Sequence, residues 1–309
     1  MDRIAKARRP FCAVVSSARG ESLAATASRI DHWVLVEYRG PWRRDVLGGS
    51  LFSSELKAHL REQLAALPHS RLLFVRRPER RSESLRRVVI GRSRPGVERF
   101  LAFDVEHHDE LREIDLAGVI EGNGGPGVPF EEPLFVVCTH GKRDRCCARQ
   151  GRPLYDALRR AAPGAHVWQS THVGGDRFAG NVVVLPHGLY FGRVGTDDAG
   201  TLLGALDSGR LDLEHYRGRS AYSFPVQAAE QAVRQSEGLA GIDDLALVSA
   251  KRLGDDRWRV RFRAPDDLVH ELDVEAFPGE EPVYLTCESL DPRHARHHRV
   301  IAHRARAPR

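Results

Sequence analysis

Short apolar runs that alternate with single amphipathic helices constrain this chain more than anything else in it. HWVLVEYRG at 32–40 holds an apolar run suited to a buried strand, and SSELKAHLREQLAAL at 53–67 places Leu56, Leu60, Leu64 and Leu67 on one helical face. RLLFVRR at 71–77, RRVVIG at 86–91 and ERFLAFDV at 98–105 read as three more strands, and HDELREIDLAG at 108–118 as a short helix. The order strand, helix, strand, strand, strand packs helices against a mixed sheet rather than making a bundle. EGNGGPGVPF at 121–130, with four Gly and two Pro, then reads as a linker and predicts a domain boundary.

Beyond it the alternation resumes. PLFVVCTH at 133–140 is an apolar strand that runs into Cys138, and CARQGRPLYDALRRA at 147–161 reads as a helix whose first turn Gly151 and Pro153 weaken. HVWQSTH at 166–172 is the next strand. VVVLP at 182–186 and LYFGRV at 189–194 form a hairpin turned at His187 and Gly188, and DDAGTLLGALDSG at 197–209 closes the unit as a helix. A third region opens with the helical pattern PVQAAEQAVRQSEG at 225–238 and continues with LALVSA, RWRVRFRA, LVHELDVEAF and YLTCES as strands of a small sheet, the last holding Cys287. The expected division is therefore an α/β unit at 1–125, a second at 130–224, an α+β extension at 225–292 and a basic tail at 293–309.

Composition narrows the function classes. A chain of 309 residues that is 41% hydrophobic can bury more than one core without disulfides. No stretch approaches the roughly 20 apolar residues of a membrane span, and the start lacks a secretory apolar core, so a cytoplasmic protein without a membrane span is expected. The formal charge of +5 belongs to the tail: residues 293–309 hold six Arg and no acid, and the rest of the chain sums to −1. A frayed, solvated terminus accounts for the tail, and nucleic acid is not expected as the primary partner because no basic helix or zinc-finger spacing supports it.

The five cysteines, Cys12, Cys138, Cys146, Cys147 and Cys287, are odd in number and scattered, which argues against a secreted disulfide framework. Chemistry concentrates in CTHGKRDRCC at 138–147 and HVGGD at 172–176. Cys138 and Cys147 lie nine apart around a loop bearing Lys142, Arg143 and Arg145, cations that favour thiolates. His172 follows 25 residues after Cys147, and Asp176 four after that, with Gly174 and Gly175 allowing a close turn between them. A Cys/Cys/His/Asp set suits zinc or an iron–sulfur centre; thiol redox chemistry and unreactive structural cysteines stay open beside it. Cys12 and Cys287 are expected to be unligated, His140 to sit beside the donors, and Trp168 to pack in the core.

CTHGKRDRCCARQGRPLYDAL together with HVGGDRFAGNVVVLPHGLYFGRV resembles the sucrase/ferredoxin-like family, and the likeness extends from ESLAATASRIDHWVLVEYRGPW at 21–42 to YRGRS at 216–220. The resemblance implies two thioredoxin-like α/β domains, the first degenerate and the second a ferredoxin domain. It implies a [2Fe-2S] cluster held by two Cys and two His, which fall here at Cys138, Cys147, His172 and Asp176. The fourth position is thus a carboxylate, and Cys146 is the alternative ligand. The implied function is one-electron transfer, as a carrier or an oxidoreductase component, with a redox protein as partner. The competing reading is a zinc- or thiol-containing binding module without a redox cluster.

Overall fold

The computed structural model describes residues 9–78 and 84–307. It is a mixed α/β protein with a ten-stranded and a four-stranded sheet. The first unit comprises β1 (His32–Glu37), α2 (Ser54–Ala66), β2 (Ser70–Arg76), β3 (Arg86–Arg92), β4 (Arg99–Val105) and α3 (Leu116–Glu121), preceded by a short helix α1 (Cys12–Ala18) that the sequence pattern did not announce. Ser53 starts α2 by accepting a hydrogen bond from the Leu56 amide, the usual way a serine satisfies an otherwise unpaired helix donor. Within the unit β1 runs parallel to β2 and antiparallel to β3, and β3 antiparallel to β4.

The second unit repeats this plan. It comprises β6 (Leu134–Cys138), α4 (Arg145–Ala161), β7 (His166–Ser170), β8 (Val182–Leu185), β9 (Leu189–Phe191) and α5 (Ala199–Asp207). β6 is parallel to β7 and antiparallel to β8, and β8 antiparallel to β9. Both units thus have the spatial order second, first, third, fourth strand, an arrangement compatible with a thioredoxin-like fold.

The structure does not show the two units as separate domains. β2 and β7 pair antiparallel, Val75 opposite Ser170 and Arg76 opposite Gln169, and join both units in one sheet. β5 (Val128–Pro129), in the glycine-rich segment read as a linker, lies on the β4 edge, and β10 (Tyr216–Arg219) forms the other edge. The sheet also curls. Trp33 of β1 and Tyr190 of β9 stand five strand positions apart, roughly 24 Å in a flat sheet, yet their ring centroids are 6.4 Å apart. One core therefore fills the space between the units, drawing Trp33, Leu35 and Val75 from the first and Val136, Trp168 and Tyr190 from the second. Composition marks where a chain bends; it carries no signal for which strand edges meet.

The C-terminal region is helix α6 (Phe224–Glu237) packed on a meander of β11 (Ala246–Arg252), β12 (Arg257–Arg263), β13 (Val269–Val283) and β14 (Arg293–Arg306). Two expectations are corrected here. The basic tail is not frayed over its described residues, 293–307, with residues 308 and 309 lying outside them: β14 pairs with β13 from Arg306 opposite Val269 to Arg293 opposite Val283, and Arg299 and Arg304 face the carboxylates of Glu275 and Glu271. The acids that neutralise the tail lie on a partner strand, out of view in a local window. YLTCES is not a strand either; Cys287 sits in the turn-rich connection between β13 and β14.

Candidate metal centre

The five residues of β6 are all buried, and the strand delivers Cys138 to its end with 1% exposure. The chain then turns and enters α4, whose start is fixed by Asp144 accepting from the Cys146 amide at 2.8 Å. The helix lies tightly on the strand because residue 151 is glycine: a Cβ there would run into the Cys138 carbonyl oxygen. That approach brings Cys147 to Cys138. Successive helical residues point about 100° apart, so Cys146 and Cys147 address different pockets.

Cys138, Cys147 and His172 place their donor atoms within 4.8 Å of one another. Asp176 joins the set through Oδ1, 3.2 Å from Cys147 Sγ and 2.9 Å from His172 Nδ1. All four residues named from the sequence therefore come together at the ends of β6 and β7. Hydrogen bonds from Cys147 and His172 hold the Cys138 thiol well below its ordinary pKa against the cost of burial. The Cys147 thiol is raised by its bond to Cys138 and by burial. For His172 burial works downward, but Asp176 and Cys138 outweigh it and push its pKa up to about 9. The pocket thus favours one thiolate beside a cationic imidazole, an arrangement that gives up protons when a cation binds.

The loop that carries His172 and Asp176 is clamped from outside. Gly174 and Gly175 adopt φ of +104° and +80°, the left-handed region. Fully buried Arg217 donates from Nη1 to the Gly174 carbonyl (3.1 Å) and to Asn181 Oδ1 (2.8 Å), and from Nε to Thr26 Oγ1 (3.0 Å). Asn181 in turn donates to the Gly175 carbonyl at 2.9 Å. Burial lowers the Arg217 guanidinium to about 10, so it stays charged at neutral pH and lies near Asp176.

Cys146 does not belong to this set. It meets Cys12 of α1 and Cys287 of the β13–β14 connection, with Sγ–Sγ separations of 3.6 Å and 3.3 Å, and 3.5 Å between Cys12 and Cys287. Asp144 completes a buried cluster able to chelate a metal; its Oδ2 is 3.8 Å from Cys12 Sγ and accepts from the Cys287 amide at 2.6 Å. Burial, with Asp176 nearby, pushes the Asp144 carboxyl up to about 7. Cys12 and Cys287, expected to stand apart from any ligand set, are therefore drawn into one. They are 134 and 141 residues from Cys146, and no spacing motif spans such distances. Their only mark in the sequence is that every cysteine must be accounted for in a chain without a disulfide framework.

His140 is 1% exposed and stands edge-on to Trp42, with ring centroids 6.0 Å apart. Burial lowers its pKa. Trp168 is core, as expected, at 2% exposure. Of the three loop cations, Lys142 is exposed, while Arg145 lies over the Phe11 ring at 5.2 Å.

The sucrase/ferredoxin-like family model matches residues 23–218. Two curated proteins called altered inheritance of mitochondria protein 32 are similar over 106 residues: that of Meyerozyma guilliermondii at 34% identity, covering 29% of this chain and 38% of its own, and that of Eremothecium gossypii at 31%, covering 30% and 34%. This chain therefore spans well under half the length of these relatives. Among solved structures, a cysteine-to-serine variant of the thioredoxin-like [2Fe-2S] ferredoxin from Aquifex aeolicus aligns with 19% identity and a TM-score of 0.25, over 27% of this chain and 96% of the ferredoxin. The family match begins before β1, ends inside β10 and takes in both units of the curled sheet with all four clustered donors, so the chain belongs to the sucrase/ferredoxin-like family.

Proposed function

We propose that this protein is a [2Fe-2S] electron-transfer protein, acting as a one-electron carrier or as a component of an oxidoreductase, with Cys138, Cys147 and His172 as ligands and Asp176 in the fourth position. The observation that carries the reading is the meeting of two buried thiols, an imidazole and a carboxylate at adjacent strand ends. The donor set suits the group: thiolates and imidazole are ordinary iron ligands, and His172 Nδ1, though 2.9 Å from Asp176, makes no well-formed hydrogen bond. When bound, the cluster supplies reversible one-electron chemistry, at a higher potential than an all-thiolate set.

The chain's own residues do the rest. Asp176 stands 2.9 Å from His172 Nδ1, Arg217 and Asn181 hold the loop that carries both, and the buried strand end keeps water from the Cys138 side. Lys142, exposed at the rim, suits docking of an acidic redox partner. Five free cysteines suit a reducing, cytoplasmic setting, which belongs to the same proposal. The four-part division of the chain enters as roles: the first unit as support, the second as the cluster carrier, the C-terminal sheet as an extension.

Anaerobic purification followed by iron, acid-labile sulfide and electron paramagnetic resonance measurements tests this. Two irons and two sulfides per chain, with a signal appearing on one-electron reduction, are expected. A colourless protein that holds only zinc, or no metal, at Cys138 and Cys147 would replace the redox reading with that of a binding module.

A further inference from the structure

The cluster of Cys12, Cys146, Cys287 and Asp144 is not used by the proposed electron-transfer centre, and its geometry has its own meaning. The three sulfurs form a nearly equilateral triangle with edges of 3.3, 3.5 and 3.6 Å. The fourth donor, from Asp144, lies within 4.8 Å of all three. Four donors in mutual contact enclose a single point. A tetrahedral zinc site with Zn–S bonds of about 2.3 Å has donor–donor edges of roughly 3.8 Å, close to what is seen. A disulfide would use two sulfurs and leave the third and the carboxylate without purpose.

The surroundings also call for a tie. The apolar residues buried here are small: Ala13 and Ala179 beside the three cysteines, with Phe11 packed at the edge. Burial of so little surface is a weak clamp for three segments drawn from the two ends and the middle of the chain. Polar contacts add to it: Arg9 Nη2 donates to the Ser289 carbonyl at 2.9 Å, Arg193 Nη2 to the Ser16 hydroxyl at 2.9 Å, and Arg44 lies 3.6 Å from Glu288.

We propose that Cys12, Cys146, Cys287 and Asp144 form a second, mononuclear site that binds zinc and fastens α1 and the β13–β14 connection to the start of α4. Binding releases the thiol protons to solvent and leaves the metal's oxidation state unchanged. The site is structural, since all four positions around the ion are taken by protein.

Metal analysis of the full-length protein, from cells supplied with both iron and zinc, reads this directly. One zinc per chain is expected beyond any iron. Cys12→Ser and Cys287→Ser should each lose that zinc while iron, sulfide and visible absorption stay; Cys138→Ser should do the reverse, which separates failure of this site from failure of the electron-transfer reading. Cobalt added to chelator-treated full-length protein should give the near-ultraviolet thiolate-to-cobalt band and intense visible bands of a tetrahedral site. The proposal is overturned if the wild-type chain holds no stoichiometric zinc and takes up no cobalt, if the zinc leaves with Cys138→Ser instead, if iron fills the site, or if mass spectrometry finds two of the three cysteines joined as a disulfide. The wild-type measurements decide the matter even where a variant does not fold.

Discussion

Glu37 and Cys138 hold the same place in the two repeated units, the last residue of the first strand, and meet different partners there. Strand register extends the parallel. Glu37 lies opposite Val75 and Cys138 opposite Ser170, so Arg77, two residues beyond Val75, corresponds to His172, two beyond Ser170. In the first unit the strand end is closed by charge: Glu37 accepts from Arg77 Nε at 2.9 Å and from the Arg87 amide at 3.1 Å, and pairs with Arg39 at 3.2 Å. In the second it carries two thiols, an imidazole and a carboxylate. The same scaffold position can therefore be sealed by an internal ion network or equipped with donors, and the side chains two places beyond the residue opposite each strand end help decide which.

The sharpest way to break this comparison is to exchange the chemistry at the two strand ends. Cys138→Ser and Cys147→Ser should reduce iron and sulfide to near zero, because a hydroxyl replaces a thiolate poorly on iron, whereas Glu37→Gln should leave both at wild-type levels. Cys146→Ser should also keep the iron, since that side chain faces the other cluster. Equal iron loss from Glu37→Gln would mean that the units are not independent in role.

Next in size is the clamp on the 172–176 loop. Arg217→Ala removes a buried guanidinium with hydrogen bonds to Gly174, Asn181 and Thr26 and leaves those acceptors unpaired. A loss of about 3 kcal/mol in unfolding free energy is expected, together with faster release of iron to a chelator. Stability lost without faster release would show that the loop holds its shape without the clamp.

Glu37→Gln should have a smaller effect on stability, about 1–2 kcal/mol at neutral pH, read from the denaturant midpoint. Burial opposes ionisation of Glu37, but the Arg87 amide, Arg77 and Arg39 outweigh it and hold its pKa below the usual 4.5. A carboxylate lowered on folding stabilises above its unfolded pKa and loses that contribution as pH falls through the folded value. The gap between wild type and variant should therefore be full above about pH 5 and shrink below 4.5. A gap that does not change with acid would remove the ion network from the comparison.

The smallest expected effect is at the rim. Lys142→Glu should slow reduction by an acidic partner several-fold at low ionic strength and little at high, because exposed charges are screened within about 8 Å at physiological salt. Indifference to salt in both proteins would exclude steering by this residue.

Much of the centre was legible in the residues themselves. Cys138 ends an apolar run, Cys147 opens a helix, and HVGGD pairs two donors with the glycines whose positive φ the turn requires. These are local patterns, fixed by strand and helix periodicity and by the backbone freedom of glycine. The resemblance to the family supplied what periodicity could not, that these segments work together.

Sequence alone thus determined most of the strands and helices of the two units, the four side chains that meet in the first cluster and the strand ends near which they emerge. Tertiary structure alone decided that β2 and β7 join the two units in one curled sheet, that the basic tail is a strand answered by acids on β13, and that Cys12, Cys146 and Cys287 meet. The reason is common to all three. Each depends on contacts between residues from 10 to 275 positions apart, which are settled by the pairing of strand edges and the packing of faces rather than by any preference a short stretch of chain carries within itself.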